Sequence, residues 1–64
     1  MIIKLKNAIE EYKGKIFLLN SDIIATVYEA KDDNGVDCVF VYSTGDKTWK
    51  VLDTVEEIYA QFTK

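Results

Sequence analysis

Sixty-four residues with a net charge of -3 leave room for one domain, and the absence of histidine, arginine and proline removes most of the groups that catalysis and phosphate recognition use. A single cysteine, Cys38, excludes an intrachain disulfide and, with no histidine to join it, speaks against a structural zinc site. The 48% hydrophobic content is enough for a folded core, yet no apolar run approaches the roughly 20 residues of a membrane span.

Along the chain, Ile2 to Lys6 alternates weakly and predicts a first strand at a sheet edge. Residues 7–14 admit two readings. Asn7 and Glu10 have the spacing of a capping box, and Gly14 suits the end of a short helix. The preferred reading is a hairpin: Ile9 to Tyr12, a turn at Lys13-Gly14, then Lys15 to Leu19. A two-turn helix has little stability of its own.

The continuous run Ile16-Phe17-Leu18-Leu19 predicts a strand buried on both faces. Asn20-Ser21-Asp22 breaks it. Ile23 to Lys31 follows as a strand rich in β-branched residues. Asp32-Asp33-Asn34-Gly35 is the strongest turn signal, and Asn34-Gly35 fits a two-residue type I′ turn. Val36 to Ser43 returns, Thr44-Gly45-Asp46 turns again, and Lys47 to Leu52 is the last strand. Thr54 and Glu57 form a capping box for a helix whose apolar stripe is Val55, Ile58, Tyr59 and Phe62. Glu56 and Glu57 in its first turn and Lys64 beyond its last match the helix dipole.

Two-residue turns would pair Lys31 with Cys38, Glu29 with Phe40 and Val27 with Tyr42, then Phe40 with Trp49 and Cys38 with Val51. One face would then carry Val27, Cys38, Phe40, Tyr42, Trp49 and Val51. The other would carry Ile24, Thr26, Tyr28, Val39, Val41 and Leu52. A three-residue second turn would instead place Trp49 and Val51 with Val39 and Val41. Either way both faces are substantially apolar, and one helix covers only one of them. The sheet must curl into a small barrel or bury its second face against another chain.

Cys38 is the one candidate nucleophile, but it has no histidine base and reads as a structural thiol. Asp32, Asp33, Asn34 and Asp37 surround a turn and fail the calcium-loop pattern, because Ala30 stands at its first ligand position. Gly14, Gly35 and Gly45 are isolated turn residues and make no phosphate loop. Aromatics on strands can stack nucleobases, but that mode wants a basic groove, and this chain is acidic. Its charge is uneven. Lys4, Lys6, Lys13 and Lys15 outnumber Glu10 and Glu11 in the first fifteen residues, and carboxylates dominate afterwards. That pattern is either an ordinary solvated surface or an acidic face for a basic partner.

The order Gly14-Lys15, Phe17-Leu18-Leu19-Asn20, Ile23-Ile24, Val27, Thr44-Gly45, Val51 and Thr54-Val55-Glu56-Glu57-Ile58 resembles the small FlbD/SwrD-type bacterial proteins. The resemblance covers most of the chain after Gly14. This chain differs in a longer segment between Leu5 and Gly14 and a longer acidic hairpin at Asp32 to Asp37. The resemblance implies a short β meander ending in a Glu-Glu helix and a flagellar-motility role, with no catalytic residue.

The expected fold class is therefore α+β: one domain over residues 1–64, a small antiparallel β-meander of four or five strands, open or barrel-like, with one C-terminal helix. The expected function is a non-enzymatic protein-interaction or regulatory module without cofactor or metal. It is expected to self-associate in the cytoplasm, since the N-terminus is too short and charged for a secretory signal. Tyr28, Tyr42, Trp49, Val39 and Val41 are the interface candidates, because large aromatics dominate interface energetics. Alternatives are an inhibitor of a host protein encoded by a phage or mobile element, a flagellar accessory protein, and a weak single-stranded nucleic-acid binder.

Overall fold

The computed structural model describes residues 1–63. Its strands are β1 (Ile2–Lys6), β2 (Ile16–Asn20), β3 (Ile24–Lys31), β4 (Asp37–Ser43) and β5 (Thr48–Val51), followed by one helix, α1 (Val55–Phe62). Short 3₁₀ turns occupy Glu10–Tyr12 and Ser21–Ile23. The fold is α+β, as expected, but the strands form two antiparallel sheets, β1-β2 and β3-β4-β5, rather than one meander. They do not close into a barrel. Among the described residues, no helix is long and apolar enough to cross a membrane.

The first hairpin pairs Ile3 with Leu19 and Leu5 with Phe17. Residues 9–12 are therefore not its first arm. They form a 3₁₀ turn in the β1–β2 connection, and Asn7 holds that connection locally. Its side chain accepts from the Ile9 N–H, and its carbonyl accepts from the Gly14 N–H. This local bonding replaces both the capping box and the short hairpin read from the sequence. Nor is β2 buried on both faces. Leu19 is buried and Phe17 packs beside it, while Ile2, Ile16 and Leu18 are 61–64% exposed on the opposite side.

The second hairpin turns on three residues, not two. The Asp32 N–H donates to the Val36 carbonyl and the Gly35 N–H to the Asp32 carbonyl. Gly35, at φ +78°, takes the left-handed position, while Asn34 does not. This is a type I turn closed by a glycine bulge. The reason lies in Asp32, whose Oδ1 accepts from both the Asn34 and Val36 N–H groups at 2.9 and 3.0 Å. The third turn also spans three residues, with Ser43 bonded to Lys47 and Asp46 at φ +60°.

These two turns set the faces. Val27, Val41 and Trp49 align on one side with Val39 and Val51, and Thr26, Tyr28, Cys38, Phe40 and Tyr42 lie on the other. The first side joins the core, which is Ile3, Leu5, Leu19, Val41, Val51 and Ile58. Ile58 is the buried residue of α1. Tyr59, assigned to the helical stripe by its spacing, is 67% exposed.

Helix α1 starts as expected. The Thr54 hydroxyl accepts from the Glu57 N–H, and the Glu57 carboxylate accepts from the Thr54 N–H. That acceptor role holds the Glu57 carboxyl below its usual range. Lys64, read as complementing the dipole, lies outside the described residues.

The two sheets meet at one corner. Asn7 bridges to Val51, the Ala8 N–H donates to the Lys50 carbonyl, and the Leu52 N–H donates to the Lys6 carbonyl. Further along β1, side chains take the place of a paired strand. Asp53 Oδ1 accepts from the Lys6 N–H at 2.6 Å. Gln61 both accepts from the Lys4 N–H and donates to the Lys4 carbonyl. Asp53 is 7% exposed, and its bond supplies the partner that a buried carboxylate needs.

Candidate binding face on the three-stranded sheet

β3, β4 and β5 present one face to the core and one outward. The outward face carries Thr26 and Tyr28 from β3, Cys38, Phe40 and Tyr42 from β4, and Thr48 and Lys50 from β5. Tyr28 and Phe40 are directly paired and stack at 5.6 Å between ring centroids, with their planes at 25°. The Tyr42 hydroxyl donates to Asp46 Oδ1 at 2.5 Å, which keeps that phenol protonated above its ordinary range. The aromatic group is thus held rigidly at low conformational cost, a property that favours binding.

The same face becomes polar toward the second hairpin. Lys50 Nζ lies 3.0 Å from Asp32 Oδ2. Cys38 Sγ lies 3.3 Å from the Val36 carbonyl and 3.7 Å from Asp32 Oδ2. The Val36 N–H, then the Lys50 ammonium, hold the Asp32 carboxyl at about 2. Asp32 in turn raises the Lys50 ammonium above its usual range. Beside this cluster opens a cleft of about 470 Å³, walled by the β1–β2 connection, the Asp32 hairpin and the end of β5. Five carboxylates (Glu10, Glu29, Asp32, Asp37 and Asp53) and two lysines (Lys13 and Lys50) line it. Its chemistry suits a cationic group better than an anionic one.

The five interface candidates separate. Tyr28 and Tyr42 stand on the outward face. Val41 is fully buried, and Val39 and Trp49 pack against the core, with Trp49 tilted beside Phe17 at 6.5 Å. Those three lie on the core side of the sheet, because each three-residue turn shifts its strand pairing by one position from the two-residue reading. The same shift hid the Asp32–Lys50–Cys38 cluster. In the observed register Phe40 faces Lys50, so Cys38 is its diagonal neighbour. The three-residue alternative for the β4–β5 turn implies this pairing. Among the described residues, no group of three or more Cys, Asp or Glu side chains is arranged to hold a metal.

Comparisons with family models, curated proteins and solved structures found no match.

The Asp32 carboxyl ties pH to stability. Its folded value, about 2, lies below the ordinary 3.8. Its contribution is therefore present in full above pH 3.8 and is lost as pH falls toward 2. Asp32→Asn is expected to flatten the loss of stability across that window. Denaturant midpoints measured at the two ends for both proteins check this, and parallel losses in the two would overturn it.

Proposed function

We propose that this chain is a non-enzymatic protein-binding module, and that it binds through the outward face of β3-β4-β5. The observation that carries the reading is the uncovered Tyr28–Phe40 stack beside Tyr42, on a sheet whose other face is buried. Rigid aromatics flanked by a polar rim are the usual composition of an interface centre. The acidic cleft at the end of this face favours a partner segment that brings an apolar group followed by a lysine or arginine. Regulation or inhibition of a larger protein is the activity such a module would have. A flagellar-motility setting, implied by the FlbD/SwrD resemblance, is one context for it. Nucleic acid is a poorer fit, since Lys50 is paired with Asp32 and carboxylates outnumber lysines around the cleft.

Affinity capture with wild type and with a Tyr28→Ala/Tyr42→Ala variant tests the reading. The variant is expected to keep its circular dichroism and to bind the captured partner at least about 30-fold more weakly, the loss of a hot spot worth about 2 kcal/mol. Tyr59→Ala, on the exposed side of α1, is expected to bind as wild type does. Unfolding of the double variant would assign these tyrosines to the core, and unchanged binding would remove the face from consideration.

A further inference from the structure

The two sheets have four edges, and the chain treats them differently; the edge of β5, a four-residue strand, is joined at Lys50 and Val51 to the backbone of Asn7 and Ala8. The outer edge of β1 is sealed by the Asp53 and Gln61 side chains and by the Leu52 N–H. The edge of β3 carries a bulge between Ile24 and Thr26 and a charged pair of residues, Glu29 and Lys31. Both are devices that discourage pairing with another chain. The edge of β2 has neither.

Its geometry follows from the ladder. Backbone bonds between β1 and β2 fall on odd positions, as the Asn7–Lys15 and Met1–Ser21 contacts show at either end. Even positions therefore point their N–H and C=O groups away from β1. On β2 these are Ile16, Leu18 and Asn20. The Asn20 carbonyl opens the Ser21–Ile23 3₁₀ turn, whereas the outward backbone groups of Ile16 and Leu18 face no neighbouring strand. The side chains of Ile16 and Leu18 are 64% and 62% exposed, and Ile2 lies beside Leu18 on the same face.

We infer that a second copy of this chain pairs with β2, edge to edge and antiparallel, about a two-fold axis at Leu18. This rests on the reading that the chain self-associates, and it names the surface. In that register Leu18 meets Leu18 of the other copy and Ile16 meets Asn20, so the outward N–H and C=O groups of Ile16 and Leu18 find partners, the Ile16 N–H sharing the Asn20 carbonyl with its 3₁₀ turn. The ends carry opposite charges: where Asn20 of one copy meets Ile16 of the other, the Asp22 that follows Asn20 in the 3₁₀ turn approaches the Lys15 that precedes Ile16. No like charges stand opposite one another along the seam. The two-fold closes the assembly at a dimer, with one continuous sheet in the order β1-β2-β2-β1. The aromatic faces lie on the other sheet and stay open to a different partner. A chain this small, with no disulfide or metal to brace it, gains the support that short domains commonly take from a second subunit.

Amide exchange followed by NMR across micromolar to millimolar concentration, with sedimentation alongside, tests the inference. The full chain is expected to sediment at twice its mass, and the Ile16, Leu18 and Asn20 amides are expected to become protected as the dimer forms. Leu18→Pro removes an outward N–H that no intrachain bond uses, and Leu18→Lys sets like charges on the axis. Each is expected to raise the dimer dissociation constant at least about tenfold while the fold is kept. If the proline variant unfolds, the lysine variant alone decides. A dimer whose three amides exchange freely would overturn the edge and leave self-association standing. A monomer at every concentration would overturn both, without touching the aromatic face as a binding surface.

Discussion

Leu5→Ala is expected to remove most of the protein's stability. Leu5 is fully buried where β1 meets the core, and it shares that core with Ile3, Leu19, Val41, Val51 and Ile58. Truncating a buried leucine loses its transfer free energy and leaves a cavity, together about 2–5 kcal/mol. At the usual stability per residue, a chain of this length has only about 3–10 kcal/mol in total. The cavity is hard to close, because the site draws walls from both sheets and from α1, and no single element can move in to fill it. A thermal midpoint at least about 10 °C lower by circular dichroism is the expected reading. A midpoint within a few degrees of wild type would show that the two sheets do not share one core. The Tyr28 and Tyr42 substitutions act outside this cluster and are expected to change stability far less. That contrast separates a core role from a binding role.

Asp53→Ala is the second large effect. Asp53 sits between β5 and the Thr54 cap, and its carboxylate accepts the Lys6 N–H where β1 no longer faces β5. Alanine leaves that part-buried N–H without a partner and deletes a charge-assisted bond. The expected cost is about 1–3 kcal/mol. The local consequence is more specific than the global one. The Lys6 amide is expected to exchange faster, and the Lys4 amide, held by Gln61, is expected to follow if α1 loosens from β1. Asp53→Asn keeps an acceptor of similar shape and is expected to restore part of the stability. Residue-resolved exchange together with denaturant unfolding checks both. An unchanged Lys6 amide in the alanine variant would overturn the role given to Asp53.

Local residue choice made several elements legible. Thr54 and Glu57 announced the start of α1, because a capping box satisfies donors within four residues and needs nothing distant. The strands at Ile2, Ile16, Ile24 and Val39 were visible in their apolar and β-branched composition. The turns at Gly35 and Gly45 were also visible; the three-residue length of the second was one of two readings, and that of the first was missed. The first was misread because Asn34-Gly35 is a strong two-residue signal taken alone. The Asp32 carboxylate, two residues upstream, organises a three-residue loop instead. One residue of error then moved Val39, Val41 and Trp49 between the core and the open face.

β2 shows the same limit from the other side. Its four apolar residues look like a strand buried twice, yet Ile16 and Leu18 face outward. Composition records how apolar a strand is and not how many neighbours the fold supplies for it. The sequence by itself determined an antiparallel chain of four or five strands with a capped C-terminal helix and no intrachain disulfide. Those properties follow from residues close together in the chain. Only the tertiary structure decided that the strands divide into two sheets, that Asp53 and Gln61 close the edge of β1, and which aromatics remain on the surface. Each of these depends on pairing across tens of residues, where a single-residue change of register exchanges inside for outside.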